Sequence, residues 1–297
     1  MIYAMIDIGS NTVRLAVYHI DGTHIEQVMK KKDTTVALAS FVKDNVMERR
    51  GIERLIYTLK EYLRFLRIFC IDHYSAFATG SLRNCVNREE AIEAIRRETG
   101  IEIRIITGDE EAGLDFVGAT HDLEETEGLL VDIGGASTEI VHYESGAIEK
   151  KISLPIGSLF LASSCVEGIL PVPAEVESMR KKARDIISTA VFEGAQGLPV
   201  CGIGGTYKGA CAMHAALGRT GPMTREDIDG LIARFGAGRK LSEADTILLM
   251  RSVPDRMHTV IPGLVIASEI CGKFASEIVR YSDSGVREGF LYSEVIG

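Results

Sequence analysis

The triplet Asp-Ile-Gly occurs twice, at Asp7 and at Asp132, an offset of 132 − 7 = 125 residues, and each copy sits in the same local plan. In the first, the apolar run Ala4 to Ile8 leads into the turn residues Gly9-Ser10-Asn11-Thr12, an alternating stretch Arg14 to Ile20 and a hairpin signal at Asp21-Gly22. In the second, Leu129 to Ile133 leads into Gly134-Gly135-Ala136-Ser137-Thr138, then Ile140 to Tyr143 and Ser145-Gly146. Apolar or alternating runs punctuated by Gly, Asn and Asp read as strand, turn and strand. Solenoids repeat every 20 to 50 residues or so, so one repeat at this longer offset predicts two duplicated domains facing each other across a cleft.

The chain length of 297 residues agrees, since single cores stop growing at roughly 250 to 300 residues. The expected domains are 1–124 and 125–297, divided in the acidic, polar connector Asp122 to Gly128, with the last C-terminal residues free to pack back on the first domain. Between the two copies, Tyr74 to Ala78 and Ile101 to Ile106 read as strands. A helix is expected to start at Asn87, with Glu90 completing a capping box, and to stop at Gly100. After the second copy, helical spacing covers Glu175 to Phe192, Thr224 to Phe235, Ala244 to Arg251 and Gly263 to Arg280, interrupted by a strand and turn at Val200 to Thr206. Strands alternating with helices define an α/β class.

Charge and composition narrow the partners. With 42 acidic and 33 basic residues the net charge is −9, which argues against general nucleic-acid or anionic-membrane binding because both need a basic face. Any polyanionic ligand must be met by local cations, metal ions or backbone N–H groups. The apolar stretch Leu55 to Phe69 is interrupted by Lys60, Glu61, Arg64 and Arg67, so it reads as an amphipathic surface helix and not a membrane span. The six cysteines are scattered without a C-x-x-C pair, and Met1 to Ile8 has no secretory pattern; reduced thiols and a cytoplasmic location are expected. No His/Cys cluster has zinc-ligand spacing.

Small residues in the two turns would let backbone N–H groups approach an anion, although each turn is also an ordinary hairpin connection. Asp132 and Glu139 flank the second turn and read in two ways: as oxygen ligands for Mg²⁺ or Mn²⁺, or as a turn acceptor and a solvated strand residue. Thr107 and Glu110 have the Ser/Thr-x-x-Glu spacing of a capping box, which assigns Glu110 to the helix start and leaves Glu111 over. Glu111 reads as a carboxylate able to orient or deprotonate water, or as a solvated helix charge. Arg83, in Thr79-Gly80-Ser81-Leu82-Arg83-Asn84, has a fork suited to phosphate oxygens, and Gly204-Gly205-Thr206 reads as a phosphate loop or a plain tight turn.

Taken together, Asp7 to Thr12, Ala78 to Arg83, Thr107 to Ala112, Asp132 to Glu139 and Gly204-Gly205-Thr206 resemble, in order and spacing, the exopolyphosphatase/guanosine pentaphosphate phosphohydrolase family. Val260-Ile261-Pro262-Gly263 and Ser282 to Gly289 extend the likeness to nearly the whole chain, in that family's short form. The resemblance implies two actin-like domains, an interdomain cleft and Mg²⁺-assisted (or Mn²⁺-assisted) hydrolysis of a terminal phosphoanhydride. By matching position it implies that Glu111 is the base, Arg83 a phosphate clamp, and Asp132 and Glu139 the carboxylates at metal and water. It assigns phosphate contacts to Gly9, Ser10, Asn11 and Thr12, to Gly134, Gly135, Ala136, Ser137 and Thr138, and to Gly204, Gly205 and Thr206.

The implied substrate is inorganic polyphosphate or, alternatively, guanosine penta- or tetraphosphate of the stringent response, with homodimerisation as the implied assembly. An actin-fold kinase and a non-enzymatic polyphosphate or nucleotide sensor are the readings from other classes. Two departures stand out: Ala136 where the family often has Gly, and Gly113 where Arg is frequent.

Overall fold

The computed structural model describes residues 1–121, 125–238 and 240–297 (side chains at 30–33 aside) and divides into two compact units, Met1–Glu111 with Phe290–Gly297, and Ala112–Gly289. Part of the connector read at 122–128, namely 122–124, lies outside the described residues.

The first unit runs β1 (Ile2–Ile8), β2 (Thr12–Asp21), β3 (His24–Thr35), β4 (Val42–Lys43), β5 (Val46–Met47), α1 (Arg49–Ile68), β6 (Tyr74–Ala78), α2 (Gly80–Asn84), α3 (Arg88–Thr99), β7 (Ile103–Ile105) and the start of α4 (Gly108–Thr120). The second continues with β8 (Gly128–Ile133), β9 (Thr138–Glu144), β10 (Ala147–Leu154), α5 (Ser158–Cys165), α6 (Pro173–Ile187), β11 (Val200–Ile203), α7 (Gly204–Ala216), β12 (Met223–Thr224), α8 (Arg225–Phe235), α9 (Glu243–Ser252), α10 (Met257–Phe274), β13 (Ile278–Ser282) and α11 (Val286–Phe290).

The two main sheets have the orders β3-β2-β1-β6-β7 and β10-β9-β8-β11-β13-β12, so the first five positions of each follow one plan. In both, a three-stranded antiparallel meander adds parallel strands beside its first strand. The expected fold class, two duplicated actin-like α/β domains, is the one observed.

Burial explains why these segments fold this way. In α1, Leu55, Thr58, Leu59, Tyr62 and Leu66 recur at helical spacing and face the first sheet, where the Tyr62 hydroxyl donates to the Val13 carbonyl at 2.7 Å. Phe290 stacks on Phe77 with ring centroids 5.7 Å apart, which anchors the C-terminal segment within the first unit. The second sheet buries apolar side chains on both faces. One packs Leu129, Val131, Ile133, Ile140 and Leu154 beneath α6, α7 and α10; the other packs Leu130, Val141 and Tyr143 beneath Ala112, Phe116 and Ala119 of α4. No helix among the described residues is long and apolar enough to cross a membrane.

Two local expectations are corrected. Asn87 precedes α3 but does not cap it: its side-chain amide accepts from the Met47 N–H at 2.8 Å and donates to the Met47 carbonyl at 3.1 Å, so it ties β5 to α3 instead. The helix expected over Gly263 to Arg280 begins earlier and stops at Phe274, where Ala275 takes φ +51°. Beyond it Ile278–Ser282 forms a strand between β11 and β12, burying Val279 between exposed Ile278 and Arg280 in the alternation of a strand with one buried face.

Candidate active site

In open α/β sheets, ligands gather beyond the carboxyl ends of the parallel strands. In the first unit that end carries the β1–β2 turn and the β6–α2 junction, because β1 and β6 are parallel with Ile8 opposite Ala78. Gly9 N–H donates to the Thr12 carbonyl at 3.1 Å, closing the turn. The buried Ser10 hydroxyl accepts the Ser81 N–H at 2.9 Å, and Gly80 stands there at φ +50°, where a Cβ would collide with the Ser10 oxygen. Glycine is therefore required at this junction on both counts. Of this turn's residues Gly9 and Asn11 stay half-buried, whereas Ser10 and Thr12 are buried.

The second unit repeats the arrangement 125 residues on. Gly134 N–H donates to the Ser137 carbonyl at 3.0 Å, as Gly9 does to Thr12. The Gly134 carbonyl accepts from the Ser158 N–H and hydroxyl, and the Gly135 carbonyl from the Leu159 and Phe160 N–H groups, which locks the turn to the first residues of α5. Gly134, Gly135 and Ala136 are half-buried, Ser137 and Thr138 buried. Thr138 directs its hydroxyl to the Ile156 carbonyl at 2.6 Å, and Thr206 directs its own to the Ile133 carbonyl at 3.5 Å. These two threonines thus brace the loops from behind. At the β11–α7 junction Gly204, at φ +79°, matches Gly80; a Cβ there would strike Asp132 Oδ1.

At the start of α4, the Thr107 hydroxyl accepts the Glu110 N–H at 3.1 Å and the Thr107 N–H donates to Glu110 Oε2 at 2.8 Å, which is the capping box read from the sequence. These hydrogen bonds, with Arg104 adding a smaller effect, hold the Glu110 carboxyl below the usual carboxylate range. Glu111 turns inward: its Oε2 accepts from Arg83 Nη1 at 2.5 Å, both side chains are largely buried, and Arg83 Nη1 also donates to the Ile106 carbonyl at 3.3 Å. The structure therefore couples Arg83 to Glu111 directly, a pairing across 28 residues that no local spacing announces.

Asp132 and Glu139 occupy paired register positions on β8 and β9, so their side chains project from the same sheet face. That face is the one α4 covers through Ala112, the residue following Glu111. Glu139 is 1% exposed and accepts from the Ser153 hydroxyl on β10 at 2.7 Å. In the first unit the same register holds Asp7 and Arg14, which form an ion pair at 3.2 Å.

Two carboxylates side by side repel where aspartate and arginine attract, and a cation held between them would relieve that repulsion. The donor set suits a hard ion: two carboxylates on adjacent strands offer the oxygen ligands Mg²⁺ takes, and Mg²⁺ needs few from protein because water and phosphate complete its shell. Sequence reading did not single out Arg256, whose guanidinium lies against Gly205 where any Cβ would meet it. It lies 51 residues beyond Gly205, beside α10, where no spacing links it to the loop.

Comparison with known proteins gives one consistent result. The model of the Ppx/GppA phosphatase family matches residues 16–296. A Haemophilus influenzae protein is 29% identical over 98% of this chain and 90% of its own length. Exopolyphosphatase 1 of Mycobacterium tuberculosis is 25% identical over 97% of this chain and 86% of its own. Among solved structures, the Aquifex aeolicus Ppx/GppA family member superposes with a TM-score of 0.79 at 26% identity, covering 100% of this chain and 98% of that one.

Proposed function

The chain belongs to the Ppx/GppA phosphatase family and is a phosphoanhydride hydrolase, and from that premise we propose that its substrate is inorganic polyphosphate, from which it releases terminal orthophosphate. The observation that carries the catalytic part is the buried Arg83–Glu111 pair, whose glutamate stands on α4 just before Ala112, the residue that packs against the sheet face bearing Asp132 and Glu139.

In this reading Glu111 is the general base, held in place by Arg83. A water oxygen bonds to the terminal phosphorus while one water proton passes to the Glu111 carboxylate. The bridging P–O bond breaks and its electron pair leaves with the shortened chain. N–H groups of the Gly9–Thr12, Gly134–Thr138 and Gly204–Thr206 segments other than those of Gly9 and Gly134, which close their own turns, receive phosphate oxygens, while the Thr138 and Thr206 hydroxyls support the loops. Asp132 and Glu139 would hold Mg²⁺ or Mn²⁺, which when bound supplies charge neutralisation for the phosphoryl group. Positioning and electrostatics of this kind account for most catalysis in phosphoryl transfer.

Polyphosphate is favoured because the M. tuberculosis relative is named for that activity. Orthophosphate release from long-chain polyphosphate and from guanosine pentaphosphate, measured side by side with Mg²⁺, tests the choice. A kcat/KM at least about tenfold higher for polyphosphate supports it, a preference worth about 1.4 kcal/mol in transition-state binding; the reverse order reassigns the substrate.

A further inference from the structure

The second sheet carries a basic side chain that this mechanism does not use. Lys151 on β10 pairs in register with Val141, and Ser153, two residues on, pairs with Glu139. Residues two apart on a strand share a face, and the Ser153–Glu139 hydrogen bond fixes which face this is: the one bearing Asp132 and Glu139 and covered by α4. Lys151 is half-buried and reaches α4 at Gly113, its Nζ lying 3.3 Å from where a Cβ on that glycine would stand. Gly113 follows Ala112, which packs on this sheet face, so Lys151 meets α4 beside that contact. The absence of a side chain at 113 is thus what lets the Lys151 ammonium lie against the first turns of α4.

We propose that Lys151 is a substrate-binding residue of the hydrolytic site, its ammonium taking phosphate oxygens of an inorganic polyphosphate chain beside Gly113. Two acidic side chains share this face, in a protein of net charge −9, so a polyanionic substrate needs a cation of this chain as well as any bound metal. A lysine on the edge strand β10 supplies one as a mobile point charge, suited to a chain whose phosphates are chemically alike. The assignment depends on the proposed function only for its choice of substrate.

The test compares wild type with Lys151→Met, which keeps the apolar stem and removes the charge, and Lys151→Arg, which keeps the charge. Binding of inorganic tripolyphosphate is measured by calorimetry with Mg²⁺ at two salt concentrations, and steady-state kinetics are followed on polyphosphate. A hydrogen-bonded charge at a phosphate predicts that Lys151→Met weakens tripolyphosphate binding about tenfold or more, flattens its salt dependence and raises KM with kcat little changed, while Lys151→Arg stays within a few-fold of wild type. Wild-type affinity in Lys151→Met, or equal losses in both variants, overturns the inference. A wild-type protein that binds tripolyphosphate but releases no orthophosphate from polyphosphate refutes the proposed function and leaves the binding comparison decisive for Lys151. One that binds no tripolyphosphate refutes both.

Discussion

Asp132 and Glu139 stand opposite each other on β8 and β9 at the register that Asp7 and Arg14 fill, as an ion pair, on β1 and β2. The duplicated hairpin therefore exists in two electrostatic forms. One pairs opposite charges, and the other sets two carboxylates side by side, an arrangement that a bound cation would stabilise. The second form is costly for folding alone and useful at a metal and phosphate site.

Removing divalent cations should abolish orthophosphate release, and Glu139→Gln should raise the Mg²⁺ concentration needed for half-maximal activity. An activity titration with Mg²⁺ after chelation checks both. Full activity in chelator, or an unchanged Mg²⁺ requirement in Glu139→Gln, would detach this pair from metal binding. The matched Arg14→Gln change should leave the Mg²⁺ requirement where it is in the wild type.

Gly204→Ala should destabilise the second unit by roughly 1 to 3 kcal/mol, because it forces a side chain into φ +79° and against Asp132. Activity should fall further than stability accounts for, since the carboxylate displaced is the one proposed to serve the metal. Thermal melting alongside phosphate release measures the two. A Gly204→Ala protein with wild-type melting would mean that the junction relaxes freely.

Glu110 gives a pH signature. Its folded-state carboxyl titrates below the ordinary range, chiefly through the Thr107 hydrogen bonds, so its contribution is present above the unfolded value near 4.3 and is lost as pH falls through the lower folded value. The side chain is 42% exposed, so solvent screening keeps that contribution to about 1 kcal/mol at most. Melting of Glu110→Gln should fall slightly below wild type at neutral pH and converge with it as the pH falls beneath the unfolded carboxyl value and through the lowered folded one. A gap that widens in acid would contradict the capping role.

Much of this architecture can be read in the residues. The two Asp-Ile-Gly turns close through equivalent bonds, Gly9 to Thr12 and Gly134 to Ser137, because turn chemistry is local and glycine announces it. The Thr107–Glu110 box is legible for the same reason. The remainder depends on contacts distant in sequence. Asn87 has the composition of a cap but spends its amide on Met47, 40 residues away. Ile278–Ser282 follows a long helix closely enough that helical spacing runs on through it, yet the sheet claims it as β13. The Ser10–Ser81 bond, the Arg83–Glu111 pair and the approach of Arg256 to Gly205 arise only when strands bring separate loops to one end of a sheet.

The central claim is that Glu111, positioned by Arg83, removes the proton from the attacking water, and Glu111→Gln tests it most directly because it keeps the side-chain shape and removes the charge. Under saturating polyphosphate and Mg²⁺, with melting curves to confirm folding, kcat should fall on the order of 10² to 10⁴ while KM changes little. The control Glu110→Gln should keep most of its activity, because that carboxylate is spent on the helix start. A folded Glu111→Gln protein retaining more than about a tenth of wild-type kcat, well above what loss of a general base allows, would contradict the assignment and turn the search for the base to Glu139.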